Sequence, residues 1–234
     1  MTQLDVNIAE LDGRSVPATF TIDEVLLAGY TGRDRTKVMK HIRELEALGV
    51  VPPPRIPMAF VVDPDLLTTR PHIDVNEQQT SGEAEFYLIQ SDDGLLVGVG
   101  SDHTDRKHEA IDVAESKGMC PKVLSAWVWR YADVQDHWDQ LQLRAWVTDT
   151  SGRRLYQSGQ LSDFLPVDAL LAELRDAGHA DNHHRIVFGG TLPLIGSFAF
   201  GHIFEAELRD QVLDRRLDCG YEIRLTSLKG RSAT

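Results

Sequence analysis

Two glutamates separated by one residue, Glu83 and Glu85, open a stretch that reads SGEAEFYLIQSDDGLLVGVGSDHTDRKHE from residue 81 to residue 109. Side chains alternate along a strand, so Glu83, Glu85, Tyr87 and Ile89 share one side while Ala84, Phe86 and Leu88 share the other. Both sides are apolar beyond the glutamates, the pattern of a core strand. Neighbouring like charges in that setting repel unless water, a proton or a cation lies between them. A turn at Asp92-Asp93-Gly94 and a second strand then lead to an acid-rich corner containing Asp102 and Asp105. With one carboxylate from that corner, the two glutamates compose an oxygen-donor site for a hard cation: Mg2+ or Mn2+, with Ca2+ as a third candidate. The plain alternative is a half-buried hairpin that keeps Glu83 and Glu85 on its wet face.

Three further groups carry chemistry. His41 and Glu44 lie three apart between Asp34 and Leu48, where Val38, Ile42, Leu45 and Leu48 recur at helical spacing. As helix neighbours they suit a carboxylate orienting an imidazole that works as a general base through water, or a simple surface contact. Lys117, beside Gly118, either reaches inward or stays a surface charge. The run GGTLPLIGSFAFG from Gly189 lacks the lysine of a phosphate-binding loop and the placement of a dinucleotide fingerprint. Its Gly189-Gly190 amides and the Thr191 hydroxyl could still hold an anionic group; otherwise it is a tight loop between strands. His103 and His108 are alternative acid–base groups, and Arg33 is a candidate for a distal anion.

The elements that must position these residues are mostly strands. Residues 4–9 and 16–20 read as short strands around Asp12-Gly13, and residues 22–29 are ambiguous between a helical turn and a strand. Gly49 and Pro52-Pro53-Pro54 close the helix that carries His41. Short strands are expected within MAFVVDPDLLT and HIDVN. A modest helix is expected over Arg106–Ser116, and a strand over Val123–Tyr131. A hairpin turns at Ser151-Gly152, a helix runs over Leu170–Ala177, and two alternating strands end the chain.

Composition narrows the function classes. The chain has 234 residues, enough for one sizeable domain that needs no disulfides. Its 36 acidic residues outnumber 24 basic ones, for a formal charge of −12, which argues against nucleic-acid partners. Cys120 and Cys219 have no metal-like spacing. No apolar run approaches the roughly 18 residues of a membrane span, and the first residues lack a signal pattern, so a cytoplasmic protein with no membrane partner is expected.

His41-x-x-Glu44, Glu83-x-Glu85, the Asp102 corner, Lys117 and GGTLP, in that order, resemble the fumarylacetoacetate hydrolase (FAH) superfamily. More narrowly the chain resembles a bacterial branch of it defined as a domain of unknown function, DUF2848. Gly32-Arg33-Asp34, His41-Ile42-Arg43-Glu44, Pro54, Pro57 and Phe60 are similar to the family's G-R-N-Y-x-x-H-x-x-E and P-x-x-P-x-x-F segments, with three additional residues before His41 and no Asn-Tyr. Ser101-Asp102-His103-Thr104-Asp105-Arg106 is similar to its N-D-x-S-x-R-D corner. Lys117 matches the family lysine, with Lys122 as competitor, and Gly189-Gly190-Thr191 with Pro193 matches its T-G-T-P loop.

The resemblance implies an α+β fold, an FAH-like mixed β-sandwich roll with peripheral helices, and a homodimer. It implies residues 1–27 as an N-terminal strand segment packed on a catalytic domain of residues 28–227, with 228–234 as a loose tail. Glu83, Glu85 and Asp102 would hold the cation; His41, Glu44 and Lys117 would be catalytic. Arg33, His103, Arg106, Gly189, Gly190 and Thr191 would bind a small anionic 2-oxo or 2,4-dioxo acid. The expected reaction is hydrolytic C–C cleavage through an enolate, with decarboxylation, hydration or tautomerisation as alternatives. A ligand-binding protein on a decayed FAH scaffold is the non-enzymatic alternative.

Overall fold

In the computed structural model, residues 1–47 and 52–226 are described, apart from the side chains of His41, Glu44, Leu45 and Ala47. The chain begins with strands β1 (Thr2–Ala9), β2 (Ser15–Ile22) and β3 (Glu24–Gly29), so the ambiguous residues 22–29 are extended. Val25, Leu26 and Leu27 in succession are all buried there, the continuous apolar run of a strand covered on both faces. Helix α1 (Arg35–Ala47) follows, then β4 (Met58–Val62), β5 (Leu67–Thr68), β6 (His72–Val75) and β7 (Thr80–Ser81). The hairpin of β8 (Ala84–Ser91) and β9 (Gly94–Asp102) leads to β10 (Thr104–Asp105).

Two short helices, α2 (Arg106–Glu109) and α3 (Val113–Gly118), replace the single helix expected there. Each has its own aspartate cap, Asp105 accepting from the His108 N–H and Asp112 from the Glu115 N–H, so the second cap restarts the chain as a new helix. Strands β11 (Lys122–Leu124) and β12 (Trp127–Arg130) come next, split at Ser125-Ala126. The remainder is β13 (Gln142–Asp149), β14 (Gly152–Gln160), α4 (Val167–Asp176), β15 (Arg185–Thr191), β16 (Ile203–Asp210) and β17 (Arg215–Leu225).

Two large sheets build the described molecule, with β7 and β10 paired as a small ribbon of their own. The larger runs β2-β1-β12-β9-β8-β15-β3-β4, with β11 and β5 attached beside β9. One core cluster joins Leu4, Val6 and Ile8 of β1 to Phe60 and Val62 of β4, with Tyr87, Ile89 and Phe188 between them. Every buried member of that cluster lies on this one sheet, so strands near its two edges meet over a shared apolar interior. The sheet is therefore curled into a roll. The second sheet, β14-β13-β16-β17-β6, and helix α4 pack on the outside of the roll through Phe86, Trp138, Leu143, Leu170, Phe204 and Leu208. The result is a mixed, strand-dominated α+β fold with peripheral helices. The N-terminal hairpin belongs to the roll, since β1 pairs in parallel with β12 at Asn7–Trp127 and Ile8–Val128. No helix among the described residues is long and apolar enough to cross a membrane.

Candidate metal centre

Strand alternation sends Ala84, Phe86 and Leu88 into the cluster between the sheets, and Tyr87 and Ile89 into the roll. Glu85, and Glu83 just before the strand, fall in phase with Tyr87 and Ile89, so the carboxylates cap one end of the roll interior. Pairing brings the other charges to them. The Asp102 N–H donates to the Glu83 carbonyl at 3.0 Å, and Lys122 on β11 is the direct cross-strand partner of Asp102. Thr191 at the end of β15 stands opposite Glu85. Glu83, Glu85 and Asp102 thus offer carboxylate oxygens that lie within 4.8 Å of one another.

The surroundings of these acids are unequal. Asp102 is fully buried and engages a lysine with each oxygen: Lys122 Nζ at 2.7 Å from Oδ1, and Lys117 Nζ on Oδ2. Burial pushes the Asp102 carboxyl up, but the two ammonium groups outweigh it and hold the acid well below its usual range. Glu85 is also buried and accepts the Gly190 N–H at 2.7 Å. Burial, then the Asp102 charge, push its carboxyl well above the usual range. Glu83 is reached by Arg106 Nη2 at 3.1 Å and by Lys117 Nζ at 3.4 Å.

This donor set fits a hard divalent cation. It contains only carboxylate oxygens, and Glu85, whose close donor is an uncharged amide and whose carboxyl Lys117 does not bring back to the usual range, would gain further counter-charge. Lys117 is buried rather than left on the surface. Its ammonium remains protonated because Asp102, Glu83 and Glu85 outweigh the cost of burial. It also lies 5.8 Å from the Phe60 ring centroid.

Several residues expected to meet substrate already have protein partners. Arg33 makes a bidentate pair with Asp139 at 2.7 and 2.6 Å and donates to the Phe164 carbonyl. His103 is fully buried, its Nδ1 2.9 Å from the Tyr221 hydroxyl and its Nε2 without a partner among the described residues. Burial, then Lys122 and Arg106, pull its imidazolium down to about 3, so the ring stays neutral. Arg106 donates to Ser81 and pairs with Glu83 and Glu109. The Thr191 hydroxyl donates to the Ala84 carbonyl and accepts from Gln157. Asp105 caps α2 and is no part of the acid cluster. The His41 and Glu44 side chains lie outside the described residues, although α1 carries both.

Gly189 and Gly190 are required by packing. A Cβ on Gly189 would stand 2.0 Å from Phe86, and one on Gly190, at φ +97°, would stand 2.2 Å from the Thr31 hydroxyl oxygen. Gly190→Ala is expected to lower the unfolding free energy by about 1–3 kcal/mol, read by urea denaturation, and to weaken Mn2+ binding by shifting the amide that holds Glu85. Unchanged stability would remove the strain argument. Lys122, named above only as the competitor of Lys117, pairs with Asp102, and Phe198, given no role by residue type or spacing, lies over Arg106. A lysine opening the apolar strand VLS was the signal for Lys122, whereas nothing in the sequence aimed Phe198 at Arg106.

Known proteins match at the level of fold and family. A 5-carboxymethyl-2-hydroxymuconate delta-isomerase from Mycobacterium smegmatis superposes with a TM-score of 0.62 at 15% identity, covering 92% of this chain and 86% of that one. A Yersinia pestis CO92 protein assigned to the fumarylacetoacetate hydrolase family gives 0.63 at 16% identity, over 93% and 99%. A 2-keto-3-deoxyarabinonate dehydratase gives 0.63 at 15% identity, over 90% and 78%. No curated protein sequence matches the chain. The family described as a protein of unknown function, DUF2848, matches residues 28–221, most of the length. On that match the chain belongs to the DUF2848 family, and its fold is the one shared by fumarylacetoacetate hydrolase proteins.

Proposed function

We propose that the protein is a divalent-metal-dependent enzyme that draws a small 2-oxo or 2,4-dioxo carboxylic acid toward its enolate, with hydrolytic C–C cleavage as the finer reading. The observation that carries it is the meeting of Glu83, Glu85 and Asp102 with the Lys117 ammonium at one end of the roll. The solved proteins of this fold named as a hydroxymuconate isomerase and a keto-acid dehydratase support an organic-acid substrate.

Glu83, Glu85 and Asp102 would hold Mg2+ or Mn2+, which supplies a Lewis acid for the keto and carboxylate oxygens of the substrate. Lys117 stays charged beside the acids and can stabilise negative charge that develops on the keto oxygen. The Glu83–Arg106 and Asp102–Lys122 pairs each hold one carboxylate oxygen and leave the other oxygen of both acids facing Lys117. In the hydrolytic reading His41, oriented by Glu44, takes a proton from the attacking water.

A panel of 2-oxo and 2,4-dioxo acids, assayed with and without chelator, tests this. Turnover is expected to need Mg2+ or Mn2+ and to fall about 10²–10³-fold in Lys117→Ala, the range for loss of one charge-stabilising donor. His41→Ala should abolish C–C cleavage while leaving solvent deuterium exchange at C3 of the substrate, followed by NMR. Equal turnover in chelator would sink the metal reading, and undiminished cleavage by His41→Ala would remove that residue as the base.

A further inference from the structure

Beyond the acids, the Arg106 guanidinium that reaches Glu83 also lies against an aromatic ring that the chemistry above does not use. The loop after β15 is pinned at several points. The Ile195 N–H donates to the Tyr156 carbonyl at 2.8 Å, the His202 N–H donates to the Thr148 carbonyl at 2.9 Å, and Ala199 is buried against the Tyr156 hydroxyl. Between these anchors Phe198 is left 50% exposed. Its ring centroid lies 4.9 Å from the Arg106 guanidinium carbon, and Arg106 reaches Glu83 at 3.1 Å. One guanidinium therefore separates an outward-facing, well-anchored ring from the acid cluster.

The described cations that reach the acid cluster are already committed: Arg106 to Glu83 and Glu109, Lys117 to Asp102 and Glu83, and Lys122 to Asp102 and the His103 carbonyl. A second carboxylate on the substrate would have to take a share of one of these pairs, against the field of a chain with a formal charge of −12. An apolar, planar group meets no such cost, and covering Phe198 removes exposed aromatic surface from water.

We propose that Phe198 is a specificity-determining residue and that the distal group of the substrate is apolar and planar rather than a second carboxylate. The proposal rests on the 2-oxo acid reading and names the class of substrate within it. The test titrates the Mn2+-loaded protein calorimetrically with three acids that share one 2-oxo acid head: 2-oxobutyrate, 2-oxoglutarate and 2-oxo-4-phenylbutyrate. The phenyl-bearing acid is expected to bind about tenfold more tightly than 2-oxoglutarate, the scale of one well-formed aromatic contact. Phe198→Ala should weaken it about tenfold and 2-oxoglutarate by less than about twofold, erasing the preference, whereas Phe198→Tyr should keep it.

A preference for 2-oxoglutarate, or a phenyl preference that survives Phe198→Ala, would overturn the proposal and leave the 2-oxo acid reading intact. Binding of none of the three acids would overturn both. Mass by light scattering is measured on the same samples. A lower mass for Phe198→Ala would assign the ring to an interface between copies of this chain and overturn its role toward substrate.

Discussion

Glu83→Gln combined with Glu85→Gln is expected to weaken Mn2+ binding by more than about a hundredfold, whereas Glu85→Gln alone should leave the metal-free protein as stable as before, or more so. Losing a residue that merely supports a metal ligand costs about 10–100-fold in affinity, so losing two direct donors exceeds that range. The stability side follows from Glu85. Its carboxyl is buried beside Asp102 and pushed well above the usual range, so the charged form is unfavourable in the metal-free fold. Glutamine keeps the shape and can still accept the Gly190 N–H. The pH dependence has a definite sign: because the folded value of Glu85 is raised, its contribution to stability is complete below the unfolded glutamate value of about 4.3 and is lost as pH rises through the folded one. Metal-free wild type should therefore lose stability over that window, and Glu85→Gln should lose less. Calorimetric or EPR titration with Mn2+, and urea denaturation across pH, check both halves. Equal Mn2+ affinity in the two proteins would remove the site.

Strand periodicity made the acid pair legible because the residues that follow it, Phe86 to Ile89, alternate between two apolar interiors and so fix which way Glu83 and Glu85 face. The returning strand of the same hairpin brought the acid-rich corner back to Glu83, and the likeness of that corner to the family's motif singled out Asp102 rather than Asp105 within it. The ordering of the other motifs carried the family and its fold, and the strand positions followed from local pattern in most of the chain. Partnering was not legible. Whether Arg33 would meet a ligand or Asp139, 106 residues away, depends on where the segment before β13 packs, and no local pattern encodes that. His103 looked like acid–base chemistry because imidazoles at acidic corners often are, yet its place between β9 and β10 buries it against Tyr221. The glycines of GGT suggested an anion cradle, but at Gly189 and Gly190 the absent Cβ makes room for Phe86 and Thr31.

Asp102→Asn should destabilise the metal-free protein by about 3–5 kcal/mol, the cost of leaving a buried charge without its partner. Lys122 is fully buried, and its remaining polar contact would be the His103 carbonyl, an uncharged acceptor. Lys117 would retain Glu83 at 3.4 Å. Asparagine also turns an N–H2 group toward one of the two ammonium donors, so shape is conserved while the interaction becomes repulsive. Lys122→Met makes the contrast. It removes the buried cation, fills much of the same volume, and leaves Asp102 paired with Lys117, so its cost should be clearly smaller. The sign of the pH effect is opposite to that of Glu85. The folded value of Asp102 is depressed, so its stabilisation is present above the unfolded aspartate value of about 3.9 and is lost as pH falls toward the folded one. Urea denaturation of the two variants and wild type, between neutral pH and the acid limb, separates these terms. If Asp102→Asn were as stable as wild type at neutral pH, the two lysines would not depend on that carboxylate, and the electrostatic account of the site would fail with it.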